Sequence, residues 1–459
     1  MKKIQERGVF LLFVYFSLIQ SLNSSSLVQT LHIPSAVSKC ITVLVYLPFA
    51  LAVGYKIFTD ARKRKQAFSA VSNWIYYAFA IYYGVLCVCR LAGGLEVKEN
   101  LYYSVVFFGA VAIFMLLRDG VICVPKQELK KNLLWIAAYF VLYRLAYTTV
   151  GELFLKKPPI NINLTTGIVG LLLPVVGQMM VDVDAKKSWL PWGVLCASLV
   201  VIATSGSRAI FALTGVMMAA MLLTALIRRK GVLRLVTAIA VGCAIVIALV
   251  LANVGQARYA IYRQTGIDFE AIRQSFTTTH PYAEQLASDL GQTIPTQVPT
   301  QEPTQASTAS PIGVTPEQDK NAAQEQIAAS NWMRKLLVQR GIEEVKRNPL
   351  FGTGNVMYQY QLGPDNFILQ SSHNFLIEAM TCYGFVGLAM VAALFISLLA
   401  EAKLFTKLAL RRWSDTVTLL LVVVFYFAFG FVQPTVFDVF ICPLFLMTVE
   451  DYGNALIEG

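Results

Sequence analysis

Four polar side chains, two at the edges of apolar segments and two in an amphipathic segment, have types that could carry chemistry. His373 lies in LQSSHNFLIEAM, where a long polar segment gives way to an apolar one. A histidine at a boundary between water and lipid can act as a base near neutral pH. Arg208 lies in TSGSRAIFAL, between two apolar runs, and Arg334 and Arg340 lie in one amphipathic segment. Because the planar guanidinium group matches the geometry of phosphate oxygens, these arginines favour a phosphate-containing substrate.

Each of these residues also has a purely structural interpretation. His373 could start a helix that is capped by Ser371 and Ser372. Arg208 could extend its charged end from the membrane to the interface. The segment with Arg334 could rest on the membrane surface as an amphipathic helix with its basic face in water. Position alone therefore leaves both interpretations open for each residue.

The composition is that of a membrane protein. Of the 459 residues, 56% are hydrophobic and 14% are charged, and the mean hydropathy is +0.59. Soluble domains contain about 25% charged residues, so the composition excludes an ordinary soluble enzyme, a disordered chain and a fibrous repeat. The eight cysteines show no C-x-x-C spacing, which speaks against a zinc site or a disulfide framework. We expect neither a metal nor a cofactor.

The apolar runs are continuous rather than alternating, which predicts helices instead of a β-barrel. We predict an all-α polytopic membrane protein with about 12 transmembrane helices. The predicted spans are 8–26, 38–57, 70–90, 101–117, 132–149, 163–182, 189–204, 208–227, 232–252, 372–400, 415–432 and 435–450. The first could instead be a signal peptide, but we favour a retained helix because no convincing cleavage site follows it.

The distribution of basic residues predicts the orientation in the membrane. If the N-terminus is inside, 22 of the 38 basic residues fall in inside segments, as the positive-inside rule requires. We therefore expect a protein of the cytoplasmic membrane with both termini cytoplasmic. The predicted domains are spans 1–9 in residues 1–252, an extracytoplasmic loop in 253–371 and spans 10–12 in 372–459. The net charge of +11 then sets orientation, and we expect the lipid bilayer, not nucleic acid, as a partner.

The long loop contains three parts. The first, residues 253–283, has a helix-permissive sequence with Arg258, Arg263 and Arg273. The second, residues 284–326, is a low-complexity insert rich in Pro, Thr and Gln, which predicts disorder or, as an alternative, a glycosylated stalk. The third contains an amphipathic helix that should end at Asn348-Pro349. Outside the insert, basic residues outnumber acidic ones, and such a surface suits an anionic headgroup or pyrophosphate.

Three motifs follow one another along the chain. They are SGSRAIFAL at 205–213, Arg334 with Pro349 fifteen residues later in NPLFGTG, and HNFLIEAMTCYGFVGL at 373–388. Together they resemble the O-antigen ligase and O-antigen polymerase family of bacterial membrane glycosyltransferases, over roughly residues 160–400. Two positions depart from the family: Val338 replaces a frequent aromatic residue, and Cys382 replaces a frequent acidic one.

The resemblance implies a GT-C-like architecture and a metal-independent glycosyltransferase. We expect a polysaccharide polymerase of the O-antigen or capsule type, which transfers glycan from undecaprenyl pyrophosphate to an acceptor sugar hydroxyl on the outer face of the cytoplasmic membrane. The resemblance also implies that Arg208 and Arg334 hold the pyrophosphate and that His373 takes the acceptor proton. The remaining expected substrate-binding residues are Arg340, Asn374 and Ser207.

Two other functions compete with this one. A ligase would move finished polymer to a terminal acceptor, and the sequence does not separate ligase from polymerase. A lipid-linked oligosaccharide flippase or a solute transporter would also suit twelve spans, and Arg144 within the fifth span fits that function better. Transporters usually show internal repeats and mid-membrane charges. The chain shows no self-similar period, and its candidate residues lie at the outer boundary, which favours a transferase.

Overall fold

The computed structural model describes most of the chain between residues 34 and 455. The described ranges are 34–63, 70–94, 97–121, 126–147, 162–182, 189–252, 257–266, 316–354, 358–363, 366–401, 413–433 and 441–455. The helices are α1 (Ser35–Arg62), α2 (Val71–Ala92), α3 (Lys98–Arg118), α4 (Lys126–Ala146), α5 (Ile162–Asp182), α6 (Trp189–Ala203), α7 (Arg208–Arg228), α8 (Val232–Leu251), α9 (Ala257–Thr265), α10 (Pro316–Arg347), α11 (Phe375–Glu401), α12 (Trp413–Gly430) and α13 (Ile441–Ala455).

The chain is an all-α polytopic membrane protein. Seven described helices are long and apolar enough to cross a membrane, namely α1, α2, α3, α5, α7, α8 and α11. The apolar helices α6 and α12 are shorter, and α4 and α13 occupy the predicted spans 132–149 and 435–450. The predicted span 8–26 lies outside the described residues. Each predicted span that falls within the described ranges therefore overlaps a helix.

Helix α5 lies at the centre of the bundle. It contacts α4, α6, α7, α8, α12 and α13, and its apolar residues are almost entirely buried. Small residues allow this close packing, because a Cβ atom at Gly167 would lie 2.5 Å from Phe429 and one at Gly170 would lie 2.6 Å from Phe425. Helix α7, which begins at Arg208, therefore packs directly against this central helix.

A cluster of ion pairs joins several helices at the end of the bundle where α11 finishes. The Nζ atom of the fully buried Lys56 lies 2.6 Å from Asp60 and 2.9 Å from Asp119. Arg118 pairs with Glu401, the last residue of α11. Because buried charges are tolerated only when paired, these contacts fix α1, α3 and α11 relative to one another. His373 precedes the other end of α11.

The loop segment between α9 and α11 contains a long helix and a hairpin. Helix α10 begins at Pro316, within the insert predicted to be disordered, and residues 284–315 lie outside the described ranges. The residues after Pro316 are rich in Ala, Glu and Gln, which are strong helix formers. The helix ends at Arg347, just before Asn348-Pro349, as predicted.

A short antiparallel hairpin follows, which the sequence analysis did not predict. Strand β1 (Tyr358–Gly363) pairs with β2 (Asn366–Gln370). A turn signal was available, because Gly-Pro-Asp-Asn at 363–366 consists of residues that favour turns. The hairpin leads the chain from the loop back to His373 and the start of α11.

Candidate functional site

His373 sits at the last turn before α11 with a fixed backbone. Its φ of 52° places it in the left-handed region, where residues other than glycine are uncommon. The Oγ atom of Ser371 accepts a hydrogen bond from the His373 N–H at 3.4 Å. Asn374 caps the helix, because its Oδ1 atom accepts the N–H groups of Leu376 and Ile377 at 3.0 and 3.3 Å. Asn374, and not Ser371 or Ser372, is therefore the cap of α11, and the serines instead bond to the backbone of the turn that carries His373.

A buried carboxyl group lies beneath this turn. Glu378 is fully buried, and its carboxyl group lies close to the turn that Ser371, Ser372 and His373 form. The Oγ atom of Ser372 lies 3.4 Å from the Oε1 atom of Glu378. The same Ser372 Oγ atom accepts a hydrogen bond from the Asn374 N–H at 3.3 Å, so this hydroxyl links the turn that carries His373 to the first turn of α11.

The surroundings of His373 favour its neutral form. Burial and the positive charge of Arg334 lower the pKa of His373 below its ordinary value, and a side-chain hydrogen bond with Gln433 opposes this shift. Gln433 follows α12, and sequence reasoning gave it no role. A neutral imidazole near pH 7 is the form that can accept a proton.

Arg208 is the first residue of α7 and follows a tight serine-rich turn. The Oγ atom of Ser205 accepts a hydrogen bond from the Ser207 N–H at 3.2 Å, and Ser207 is the N-cap residue of α7. The Nη2 atom of Arg208 donates to the Oδ1 atom of Asn331 in α10 at 2.8 Å. The structure therefore joins the first sequence motif to the loop helix that carries the second.

Arg334 lies one turn after Asn331 on α10. Partial burial, together with the positive charges of Arg208 and Arg263, lowers the pKa of Arg334. The same guanidinium group is close enough to His373 to lower the pKa of that histidine. Residues from three distant segments of the chain thus converge where α7 and α11 begin, which we call the site end of the bundle.

Arg263 is a third arginine at the site end, and sequence reasoning assigned it no role. It belongs to α9, which contacts α6, α7, α8 and α10. A Cβ atom on Gly206 would lie 3.7 Å from the Cδ atom and 3.8 Å from the Nη1 atom of Arg263. The side chain therefore lies over the turn that precedes Arg208. We call Arg208, Arg263 and Arg334 the arginine cluster.

The arginine cluster brings three like charges close together. Among the residues that the structure describes, no carboxylate forms an ion pair with any of its three members. Like charges that are held close together repel one another and attract an anion. No group of three or more His, Cys, Asp or Glu side chains in the described ranges is placed to hold a metal ion. The cluster is suited to an anion with several negative charges.

Arg340 occupies a different place from the arginine cluster. Six residues separate it from Arg334, which turns the two side chains about 120° apart around the helix axis. Its Nη1 atom lies 2.7 Å from the Oε2 atom of Glu343, and both side chains are exposed. The structure brings Arg208, Arg334 and His373 together and gives Arg340 a carboxylate partner on another face of α10.

The NPLFGTG loop after α10 forms backbone hydrogen bonds to residues at a break in α11, and we call this contact the loop–helix junction. Gly384 has φ 72° and ψ −174°, which interrupts the helix, and the Phe385 N–H bonds to the Pro349 carbonyl at 2.8 Å. The Val386 N–H bonds to the Leu350 carbonyl at 3.2 Å. A Cβ atom on Gly384 would lie 2.2 Å from the Leu350 oxygen. The NPLFGTG loop thus supplies hydrogen-bond partners that the broken helix lacks, and it ties Arg334's helix to His373's helix.

Arg90 of α2 reinforces this junction. It is 7% exposed, and its Nη2 atom donates to the carbonyl oxygens of Phe351, Gly352 and Cys382 at 3.4, 3.3 and 3.0 Å. A Cβ atom on Gly354 would lie 2.3 Å from its Nη1 atom, so the last glycine of the loop leaves space for the guanidinium. Sequence reasoning missed Arg90 because an arginine at the end of an apolar run is also typical of a helix that ends at the membrane surface.

Comparison with known protein families agrees with this geometry. Residues 193–392 match the family described as O-antigen ligase. The matched region begins in α6, ends in α11 and contains the arginine cluster and His373. A search of curated proteins finds no match. The protein is therefore similar, over less than half of its length, to the O-antigen ligase family, whose members are membrane glycosyltransferase-like enzymes, and Arg90 and Gln433 lie outside the matched region.

Proposed function

We propose that the protein is a polysaccharide polymerase that transfers a glycan from undecaprenyl pyrophosphate to an acceptor sugar hydroxyl. The observation that carries this proposal is the convergence of Arg208, Arg334 and His373 at one end of the bundle. Two arginines without a carboxylate partner among the described residues suit a pyrophosphate, and a neutral histidine beside them suits the acceptor hydroxyl.

The leaving group explains why arginines dominate the site. In the reaction, the acceptor oxygen forms a bond to the anomeric carbon while the bond from that carbon to the pyrophosphate oxygen breaks. The electron pair stays on the pyrophosphate, whose negative charge therefore increases. Arg208 and Arg334 offset that charge through charge-assisted hydrogen bonds, which stabilise the transition state more than the ground state.

His373 takes the proton that the acceptor hydroxyl loses. Burial and Arg334 lower the pKa of His373, so the imidazole is neutral and available as a base at the pH of the cell exterior. The hydrogen bond with Gln433 limits the rotation of the ring, and Ser372, which contacts both Glu378 and the Asn374 N–H, holds the backbone of the same turn. Base and phosphate-binding groups are thus oriented before the substrates arrive.

The orientation in the membrane follows from the two ends of the bundle. We place the site end on the extracytoplasmic side of the cytoplasmic membrane, since the positive-inside rule makes segments such as those of Arg118 and Arg228 cytoplasmic, and these two residues lie at the other end of the bundle. The isoprenoid tail of the donor would lie along apolar helix faces that are exposed on the bundle, which include Val216 and Leu223 of α7. Lipid and donor would then approach the arginine cluster from the membrane plane.

Product size separates the polymerase from its competitors. The experiment incubates purified protein with an undecaprenyl-pyrophosphate-linked repeat unit and resolves the products on a gel. A ladder of products is expected and supports a polymerase. A single shifted band that requires an added acceptor would make the protein a ligase, which keeps the site chemistry. Movement of labelled substrate into vesicles without any glycosyl transfer would overturn the proposal in favour of a transporter.

A further inference from the structure

We propose that Arg263 is a third donor to the diphosphate of the glycan carrier, alongside Arg208 and Arg334. This inference rests on the proposed function, since it assigns a further residue to the same anion. It adds a residue from α9, a short helix that none of the three sequence motifs includes.

The position of Arg263 is fixed by apolar packing. Helix α9 is held against α6 and α8 by a small buried cluster formed by Ala203, Val250, Ala257 and Ile261. The neighbouring Gln264 donates from its Nε2 atom to the Ile202 carbonyl at 3.1 Å. Because both contacts anchor α9 beside the last turn of α6, the guanidinium of Arg263 is held over Gly206 and does not move freely in solvent.

The hydrogen-bonding state of Arg263 points to a missing acceptor. Its Nε atom is buried and has no hydrogen-bond partner among the residues that the structure describes. A buried donor on a charged group is costly when it is unsatisfied. Neither Arg208 nor Arg334 can supply an acceptor, because arginine carries donors only. An anionic oxygen bound between the three side chains would satisfy this atom.

The charge of the reacting group matches three arginines better than two. A diphosphate that links a lipid to a sugar is a diester with two ionised oxygens. When the bond to the sugar breaks, the electron pair remains on the leaving oxygen and a third negative charge develops. A third arginine within the cluster provides a cation for that charge as it forms, and the interaction is strongest after bond cleavage.

Binding of the product tests the inference. The probe is undecaprenyl pyrophosphate in detergent, and the Kd is measured for the full-length protein and for Arg263→Gln and Arg263→Lys. Loss of one charge-assisted hydrogen bond predicts a Kd about tenfold or more higher for Arg263→Gln. Arg263→Lys keeps the charge but lacks the Nε donor, so we expect an increase of about threefold. Arg347→Gln removes an exposed arginine that pairs with Glu344 and is the matched control, with an unchanged Kd.

The possible outcomes separate this inference from the proposed function. If Arg208→Gln and Arg334→Gln weaken binding while Arg263→Gln stays within twofold of wild type, the role of Arg263 is overturned and the proposed function stands. If all three variants bind as wild type, the proposed pyrophosphate site itself fails. If Arg263→Gln does not yield folded protein, the lysine variant decides, and a Kd within twofold of wild type overturns the inference.

Discussion

Arg208 donates a hydrogen bond to Asn331 at 2.8 Å, although 123 residues separate the two in sequence. The acceptor is a neutral amide oxygen, so the guanidinium is oriented without being neutralised. A carboxylate at the same position would compete with any bound anion for the arginine. The contact therefore fixes Arg208 against α10 while its charge stays available to a phosphate group.

Substitution of Asn331 tests that relationship. Asn331→Ala removes one exposed hydrogen bond, and we expect KM for the lipid-linked donor to rise by about two- to fivefold. Asn331→Asp adds a carboxylate beside Arg208, and we expect a larger rise of about tenfold. Steady-state kinetics with purified protein measures both. An aspartate variant with a lower KM than the alanine variant would contradict the role of Arg208 in anion binding.

Substitutions should separate the chemical role of the His373 imidazole from the effect of the left-handed backbone conformation at this residue. His373→Asn removes the base, and asparagine tolerates the left-handed conformation that His373 adopts. We therefore expect normal protein abundance and a fall in kcat of about a hundred- to ten-thousandfold. His373→Ala should lose the same activity and also lower the melting temperature, because alanine is strained at this φ. Normal polymer from either variant would exclude His373 as the base.

The pH dependence of His373 should respond to Arg334. The base is active when neutral, so kcat/KM falls as pH drops through the pKa of His373, which lies below the ordinary value. Arg334→Gln removes a charge that lowers this pKa, and the acid limb of residual activity should move to higher pH. Arg334→Lys keeps the charge and should leave the limb nearly in place.

The same shift can be measured without turnover. The chain has only three histidines, so isotope-labelled histidine in a variant with His32 and His280 both replaced by Gln reports on His373 alone. NMR titration of this protein should give a higher pKa for His373 after Arg334→Gln than before it. An unchanged or lower pKa would show that Arg334 does not act on His373 electrostatically.

Arg340 should matter less than Arg334. Arg340 pairs with Glu343 and points to another face of α10, so Arg340→Gln should change KM by no more than about twofold, as is typical for exposed ion pairs. Arg334→Gln should raise KM by about tenfold or more. Parallel kinetics on the two variants measures the difference. Equal effects would mean that the substrate reaches both faces of α10.

Gly384 should be required for the loop–helix junction between the NPLFGTG loop and α11. Gly384→Ala would place a methyl group 2.2 Å from the Leu350 oxygen and strain a backbone conformation that only glycine adopts readily. The strain alone costs about 1–3 kcal/mol, so we expect a lower melting temperature in detergent. Gly215→Ala in α7 is the control, because no atom lies within 4 Å of its added methyl group. Equal melting temperatures for the two variants would contradict a role of Gly384 in the loop–helix junction.

The helical membrane fold was predictable from the sequence because apolar runs leave a local signal, and the three candidate residues that the structure brings together also lie in recognisable motifs. Continuous apolar runs predict helices in lipid, Arg208 and His373 stand at the borders of such runs, and Arg334 stands in an amphipathic segment of the loop. Arg263 was visible as one of three arginines in the first part of the loop, but nothing local distinguished it. Its role depends on how α9 packs against α6 and α8, which is a tertiary property.

Arg90 and Gln433 were missed for a related reason. Each lies at the end of an apolar helix, where a polar residue needs no special explanation. Their partners come from segments that are remote in sequence, since Arg90 reaches the loop carbonyls of Phe351 and Gly352 and Gln433 reaches His373. Pairings of this kind can be read only once the helices have been placed side by side.

The loop–helix junction between the NPLFGTG loop and α11 also limits how the site end of the bundle can open. If the loop moved away, the N–H groups of Phe385 and Val386 would lose their acceptors inside an apolar bundle, where each unsatisfied group costs several kcal/mol. The C-terminal end of α10 is therefore fixed in place and does not move as a hinged lid. If the protein transfers glycan as proposed, we expect product and fresh donor to exchange past this end of α10, sideways between helices or from the aqueous face, while Arg334 and His373 keep their spacing.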